Sequence, residues 1–409
     1  MLNIRIDLLT KIWYYKGTRK IASNFNLVQS LGAFRLFSMF WRTFMAISSD
    51  SYAYQRSRII NEKIDALLSE LPECCTQFIF TKATSGKFQP RTRLAYLEDL
   101  TTFFRYLCST HEDFLHIEPK QITSDMLDRL TTQDIEEFLA YCEMYESDAG
   151  INVNKAPGKA RKLSAIRSLF KYLVGRNQLK QNVASNVDSP RIDKSDVVYM
   201  GTEQQERLLN NLYAGKHMNT LDNAATYDPN SIILIRDIAI ISLFLGTGIR
   251  ISELVALDLD DLDDSDLSIL VTRKGGKHQK VYFSPEVYDA LLRYLDYSRR
   301  QLLKLTDEEE DDKYTKALFI SQRRSRLAVR SVQAMLEKYT DYTFGKESKQ
   351  KYSPHKLRSS YATNLLQESG GDLALTCEAL GHSNFASANR YISVLNKQNA
   401  AIGLRNGNK

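Results

Sequence analysis

Cysteine is scarce in this chain and carries no pattern: there are five in 409 residues, Cys74, Cys75, Cys108, Cys142 and Cys377. Their spacing matches neither a metal knuckle nor an even disulfide framework. That excludes a small stapled secreted domain and leaves reduced thiols in a cytoplasm as the expectation. Apolar runs of about 18 residues are also missing, so no membrane span is expected, and no stretch reads as a cleavable secretion leader. A strong excess of one charge is absent too, the formal net charge being +6. With 43% hydrophobic and 25% charged residues, the composition is that of a globular protein. The length exceeds one ordinary core, so at least two domains are expected.

The distribution of charge says more than its total. Residues 151–194 hold ten Lys/Arg against two Asp/Glu. Within them Lys159, Arg161, Lys162, Arg167 and Lys171 run along a helical pattern whose other face is Leu163, Ile166, Leu169, Phe170 and Leu173. Such a helix has an apolar side for its own domain and a cationic side for phosphates. A solvated basic face is the plain alternative for a lone helix. A second amphipathic period opens after Pro90 and runs from Arg91 to Leu107, and residues 132–145 make another. Residues 46–188 therefore read as a small helical bundle.

Asp188-Ser189-Pro190-Arg191 begins a polar linker, taken as 189–197, and a second domain follows over 198–395. Its signals are mostly helical. Residues 231–245 are a nearly continuous apolar run fit for a buried helix, closed by Gly246 and Gly248. Leu267 to Arg273 and Val281 to Phe283 flank a glycine turn and read as a β-hairpin, with Leu318-Phe319-Ile320 a candidate third strand. The expected class is mainly α with a small antiparallel sheet (α+β). The acidic stretch Asp258 to Asp266 lacks the glycine and the twelfth-place acid of a calcium loop and reads as solvated, as does Glu308 to Asp312. Residues 1–45 are basic, with seven Lys/Arg and one Asp, and rich in aromatics. Three readings stand side by side for them: a DNA-contacting arm, an amphipathic helix packed on the rest, or sequence upstream of a start at Met39 or Met45.

The most informative residues are six that fall in order across the second domain: Arg250, Lys274, His355, Arg358, His382 and Tyr391. Their settings are Gly246-Thr247-Gly248-Ile249-Arg250-Ile251-Ser252-Glu253-Leu254, then His355-Lys356-Leu357-Arg358, then Leu380-Gly381-His382, then Tyr391 nine residues further on. Together they suit the breaking of a phosphodiester by a tyrosine. Phosphorus gains negative charge as a nucleophile adds, so preorganised cations must meet it. Arginine does this best, being planar, always charged and bidentate toward phosphate oxygens, which makes Arg250 and Arg358 the natural clamp. A free tyrosine has a pKa near 10, so Tyr391 must shed its proton as it attacks, and His355 is of a type that assists near neutral pH. The leaving 5′ oxygen needs a proton in turn, and an ammonium on the hairpin turn, Lys274, is assigned as that acid. No step calls for a metal or a nucleotide.

Each residue also has a structural reading. Arg250 with Glu253 could be an ordinary ion pair. His355, after Ser353 and Pro354, could decorate a helix start. His382 could be a satisfied loop histidine, and Tyr391 could be core, as most of the 22 tyrosines must be. The ordered set outweighs them jointly, and a three-residue spacing puts His355 and Arg358 on one helical face.

These motifs resemble those of the tyrosine recombinases, also called the phage integrase family, and among them the Xer-like enzymes; the resemblance spans roughly residues 50–400. It implies a core-binding helical domain, a DNA breaking-rejoining catalytic domain, and a 3′-phosphotyrosyl link through Tyr391. Arg250, Arg358 and His382 would bind the scissile phosphate, Glu253 would orient Arg250, Lys274 would act as acid and His355 would assist. It further implies double-stranded DNA with a specific site and a homotetramer on two sites, with room for a partner recombinase or accessory protein. The tail, 396–409, would dock on a neighbouring protomer. The family's task is either chromosome dimer resolution or movement of an integrated element, and both stay open. A silent DNA-binding regulator and a topoisomerase-like relaxing enzyme are the rivals. Two positions depart from the pattern. The hairpin motif is usually Gly-Lys-Gly-x-Lys, whereas Arg273 precedes Lys274 here, which leaves the acid between Lys274 and Lys277. Ser359 stands where many members carry a second histidine.

Overall fold

A computed structural model describes residues 52–86, 88–147, 150–192, 197–215, 231–273, 276–304, 316–348, 350–381 and 391–392. The chain divides into two compact units between Lys194 and Ser195, inside the segment read from the sequence as a linker. Residues 1–45 and the tail 396–409 lie outside the described residues.

In the first unit, α1 (Tyr52–Glu70), α2 (Glu73–Thr84) and α3 (Pro90–Thr110) precede a one-turn helix α4 (Ser124–Leu127) and α5 (Thr132–Tyr141). Pro90 sits at the first helical position of α3, where its missing N–H costs nothing. Thr131 and Asp134 cap α5 reciprocally. A hairpin then follows, β1 (Met144–Ser147) paired antiparallel with β2 (Gly150–Val153), and after it α6 (Ala156–Val174). The helix expected over residues 132–145 runs into this hairpin, because Tyr145, four residues after Tyr141, continues the apolar spacing of α5. Helix α3 is the hub, packing on α1 and α6 through Leu97, Phe103, Phe104 and Leu107, with Phe138, Ile166 and Phe170 opposite.

The second unit comprises α7 (Thr202–Tyr213), α8 (Ile232–Thr247), α9 (Ile251–Leu254), strands β3 (Leu262–Asp263), β4 (Ser268–Thr272) and β5 (His278–Tyr282), α10 (Pro285–Arg293) continued through a π turn into α11 (Arg300–Leu303), α12 (Val329–Phe344), α13 (Pro354–Glu368) and α14 (Leu373–Leu380). The strands form one antiparallel sheet in the order β3-β4-β5. Leu318-Phe319-Ile320 adds no strand to it: Ala317 and Ile320 make only isolated bridges, to Asp258 and Arg326, and the third strand is Leu262–Asp263 instead. Nor is the stretch Asp258 to Asp266 simply solvated. Asp258 pairs with Arg326, and Asp263 and Asp266 share Lys280.

Helix α8 is the centre of this unit, packed by α7, α10 and α13. It is buried nearly all round, Leu234, Ile240, Leu243 and Phe244 among others, each side chain contributing about 1.5–3 kcal/mol. Its one charged step, Arg236-Asp237, is also buried and therefore paired: Arg236 binds Asp237 at 2.7 Å, and the Tyr339 hydroxyl donates to Asp237 at 2.8 Å. Helix α8 ends on Gly248 at φ 60, the left-handed cap that glycine adopts without strain. The chain thus turns sharply and delivers Arg250 to the start of α9. Among the described residues no helix is long and apolar enough to cross a membrane.

Candidate active site

Arg250 is the N-cap of α9, and Glu253, three residues on, reaches back to it twice: the Arg250 backbone N–H donates to Oε2 at 2.8 Å and Nη1 donates to Oε1 at 2.7 Å. A short helix after a glycine turn fixes this geometry locally, which is why the motif is contiguous in sequence. Glu253 is buried while about a third of the Arg250 side chain stays exposed, so the guanidinium is held from behind and open in front.

Arg358 arrives from the first turns of α13, 3% exposed. Its Nη1 donates to the Gly248 carbonyl at 2.6 Å and its Nη2 to the Leu380 carbonyl at 2.6 Å. One planar fork therefore joins the turn before Arg250 to the end of α14. Burial first, and then the neighbouring Arg250, push Arg358 down from the usual arginine range to about 10, while Glu253 and the Tyr391 phenol act in the opposite sense. Arg250, Arg358, Glu253 and Tyr391 are accordingly one electrostatic group. Tyr391 is 1% exposed and packs with Ala362, Leu366, Cys377 and Leu380. His355 lies one turn before Arg358 on α13 and is exposed.

Lys274 and His382 lie outside the described residues, but the positions beside them are defined. Arg273 donates from Nη1 to Glu253 at 2.6 Å, from Nε to Gln279 at 2.9 Å and from Nη2 to the Ala379 carbonyl at 3.2 Å. Burial lowers its pKa, and the pull of Glu253 works against that. A Cβ on Gly381 would lie 2.8 Å from Arg273 Nε and 2.6 Å from Gln279 Oε1, so the residues before Lys274 and before His382 are in contact. Sequence reasoning assigned Arg273 and Gln279 no role. The available signal was the arginine standing where a glycine is usual.

The basic helix α6 departs from expectation. Lys162 is 4% exposed and bound to buried Asp99 at 3.2 Å, so it does not belong to a DNA-facing surface. Arg167 donates to Ala184 O at 2.9 Å, to Ser189 Oγ at 2.8 Å and to Val187 O, which holds the chain leaving the unit. Burial lifts the Asp99 carboxyl above its usual range in spite of Lys162 and Arg161. Lys159 pairs with Glu143 at 3.1 Å, Arg161 with Asp99 at 2.9 Å while half exposed, and Lys171 is exposed.

The site thus groups the guanidiniums of Arg250 and Arg273 on one buried carboxylate, in a mostly helical unit with a small sheet, with Tyr391 in the field of Arg358. Residues 213–398 match the family model described as the phage integrase family. The chain is 30% identical over 331 residues to the tyrosine recombinase XerC of Caldanaerobacter subterraneus subsp. tengcongensis, covering 80% of this chain and 84% of that one. It is 33% identical over 267 residues to the XerC of Natranaerobius thermophilus, covering 65% and 79%. In fold it is similar to an XerH site-specific recombinase bound to a palindromic difH substrate, with a TM-score of 0.55, 19% identity, and 84% and 93% of the two chains covered. A lambda integrase dimer on a core site gives a TM-score of 0.52 at 14% identity, covering 88% and 86%. The chain belongs to the phage integrase family of tyrosine recombinases. It is an enzyme of DNA cleavage and rejoining.

Proposed function

We propose that this recombinase exchanges strands between two copies of a specific double-stranded DNA site, as a homotetramer, through a 3′-phosphotyrosyl intermediate. Arg250 and Arg358 clamp the scissile phosphate, joined by His382. The Tyr391 oxygen attacks phosphorus as its proton leaves, with His355 assisting, and the bond to the 5′ oxygen breaks as Lys274 supplies that oxygen with a proton. The ester formed is close in energy to the bond lost, so the reverse attack by a 5′ hydroxyl rejoins the strand without nucleotide or metal. Tyr391 has to leave its apolar packing to reach a duplex, which couples nucleophile exposure to assembly on DNA.

The observation that carries this reading is the pair of arginines organised around Gly248, with Tyr391 within the field of Arg358. Glu253 holds Arg250, so the clamp is preorganised and loses little on binding phosphate. Lys159, Arg161 and Lys171 are the cations of α6 that face the duplex backbone in this reading. The relatives named XerC favour an Xer-like site over one belonging to a mobile element.

The test is a plasmid carrying two directly repeated copies of the cleavage site mapped in the source genome, incubated with the pure protein in chelator without nucleotide. Excision of a circle with a fixed crossover point is expected. Relaxation of supercoils on plasmids lacking the site would point to a topoisomerase-like enzyme, and binding without strand exchange to a regulator.

A further inference from the structure

We propose that Arg273 is a positioning residue for strand cleavage: it ties the hairpin turn that carries Lys274 to Glu253 and to the end of α14. The inference rests on the reading of Lys274 as the acid. Arg273 is the residue before Lys274; its N–H donates to Lys277 O at 2.7 Å and its carbonyl accepts from the Gly276 N–H at 3.1 Å. A short loop on two strands can rock as a unit unless something beyond the strands holds it. Here the 6%-exposed guanidinium of Arg273 does so, with one bond to the carboxylate that also holds Arg250 and another to the Ala379 carbonyl. Gln279, across the ladder, donates to the Glu378 carbonyl at 2.8 Å.

The ends of these bonds make the tie more than local packing. The last carbonyls of a helix lack partners within it, and those of α14 are taken by Gln279, Arg273 and Arg358 in turn, at Glu378, Ala379 and Leu380. Cations are favourable at that end of a helix dipole. Clamp, hairpin and the residue before His382 are thereby fastened to one helix end and one carboxylate. Burying a guanidinium costs desolvation, as its lowered pKa reflects, and a glycine at this position would close the same turn without it. What the arginine adds is a fixed relation between the turn and the arginine clamp.

The test compares single-turnover cleavage by the full chain and by Arg273→Ala, Arg273→Lys, Lys274→Ala and Arg250→Ala, on DNA with oxygen or sulfur bridging to the 5′ carbon at the scissile phosphate. With oxygen, the phosphorus–oxygen bond breaks as Lys274 gives up a proton. With sulfur, the far more acidic thiol leaves as thiolate and needs none. Arg273→Ala should cut the oxygen substrate about 100-fold more slowly, the scale of a lost general acid, and the sulfur substrate near the normal rate, as should Lys274→Ala. Arg273→Lys keeps a charge against Glu253, preserving the fold if alanine does not, and should fall between. Arg250→Ala should be slow on both. Arg273 variants slow on both substrates while Lys274→Ala is rescued would overturn the inference alone. Lys274→Ala slow on both would overturn the acid assignment beneath it and the inference with it.

Discussion

Arg358 donates to the carbonyl of Gly248 at 2.6 Å, across 110 positions of sequence. That bond fastens one guanidinium to the backbone two residues before the other, Arg250, the N-cap of α9. It is possible because Gly248 takes φ 60 and has no side chain: a Cβ there would sit 2.4 Å from a ring carbon of Tyr361, on the same helix as Arg358.

Gly248→Ala should therefore be costly in two ways, through the left-handed backbone and through displacement of α13. A loss of at least about 2 kcal/mol is expected, read as a lower urea midpoint, with cleavage falling further than stability alone explains. An unchanged midpoint would show that α8 and α13 are not held together at this turn.

Glu253→Gln keeps the shape and removes the charge shared by Arg250 and Arg273. Breaking a buried ion pair on one side costs about 3–5 kcal/mol, and the lower part of that range is expected because an amide can still accept from one guanidinium. Chemical denaturation measures it. A neutral effect would mean that the carboxylate is not the anchor of both arginines.

Arg250→Lys and Arg358→Lys each retain a positive charge but lose the fork. Cleavage should fall about 10²–10³-fold, as for loss of one preorganised transition-state donor, while affinity for the DNA site changes little. Near-normal cleavage by either variant would remove that residue from the clamp.

On α6 the two outward and inward cations should separate cleanly. Lys171→Ala should lower the slope of log affinity against log salt by about 1. Lys162→Met should leave that slope alone and lower the stability of the first unit, since Asp99 loses a buried partner. Equal slope changes would restore Lys162 to the DNA face.

The sequence was most legible where function is contiguous. Arg250 and Glu253 sit in one short motif because a single helical turn builds their contact, and the hairpin was marked because Gly275 and Gly276 stand together between Lys274 and Lys277. Arg273 was illegible because its partners, Glu253, Gln279 and Ala379, come from three separate stretches. Lys162 misled for a different reason. It lies four residues before Ile166 and seven before Leu169, on the buried stripe, and the acid that neutralises it belongs to another helix. The hairpin at residues 144–153 escaped because Tyr145 continues the apolar period of the preceding helix, while the alternation of Ile151 and Val153 about Asn152 is too short to mark a strand and both side chains are exposed.

The central claim is that Tyr391, buried beside Arg358 in the free protein, becomes joined to DNA. It is tested most directly by incubating the protein with a nicked suicide substrate, whose short leaving fragment diffuses away, and mapping the trapped adduct by peptide mass spectrometry. The account predicts a 3′-phosphoryl bond on Tyr391, absent in Tyr391→Phe. An adduct on a different residue, or one that persists in Tyr391→Phe, would contradict it.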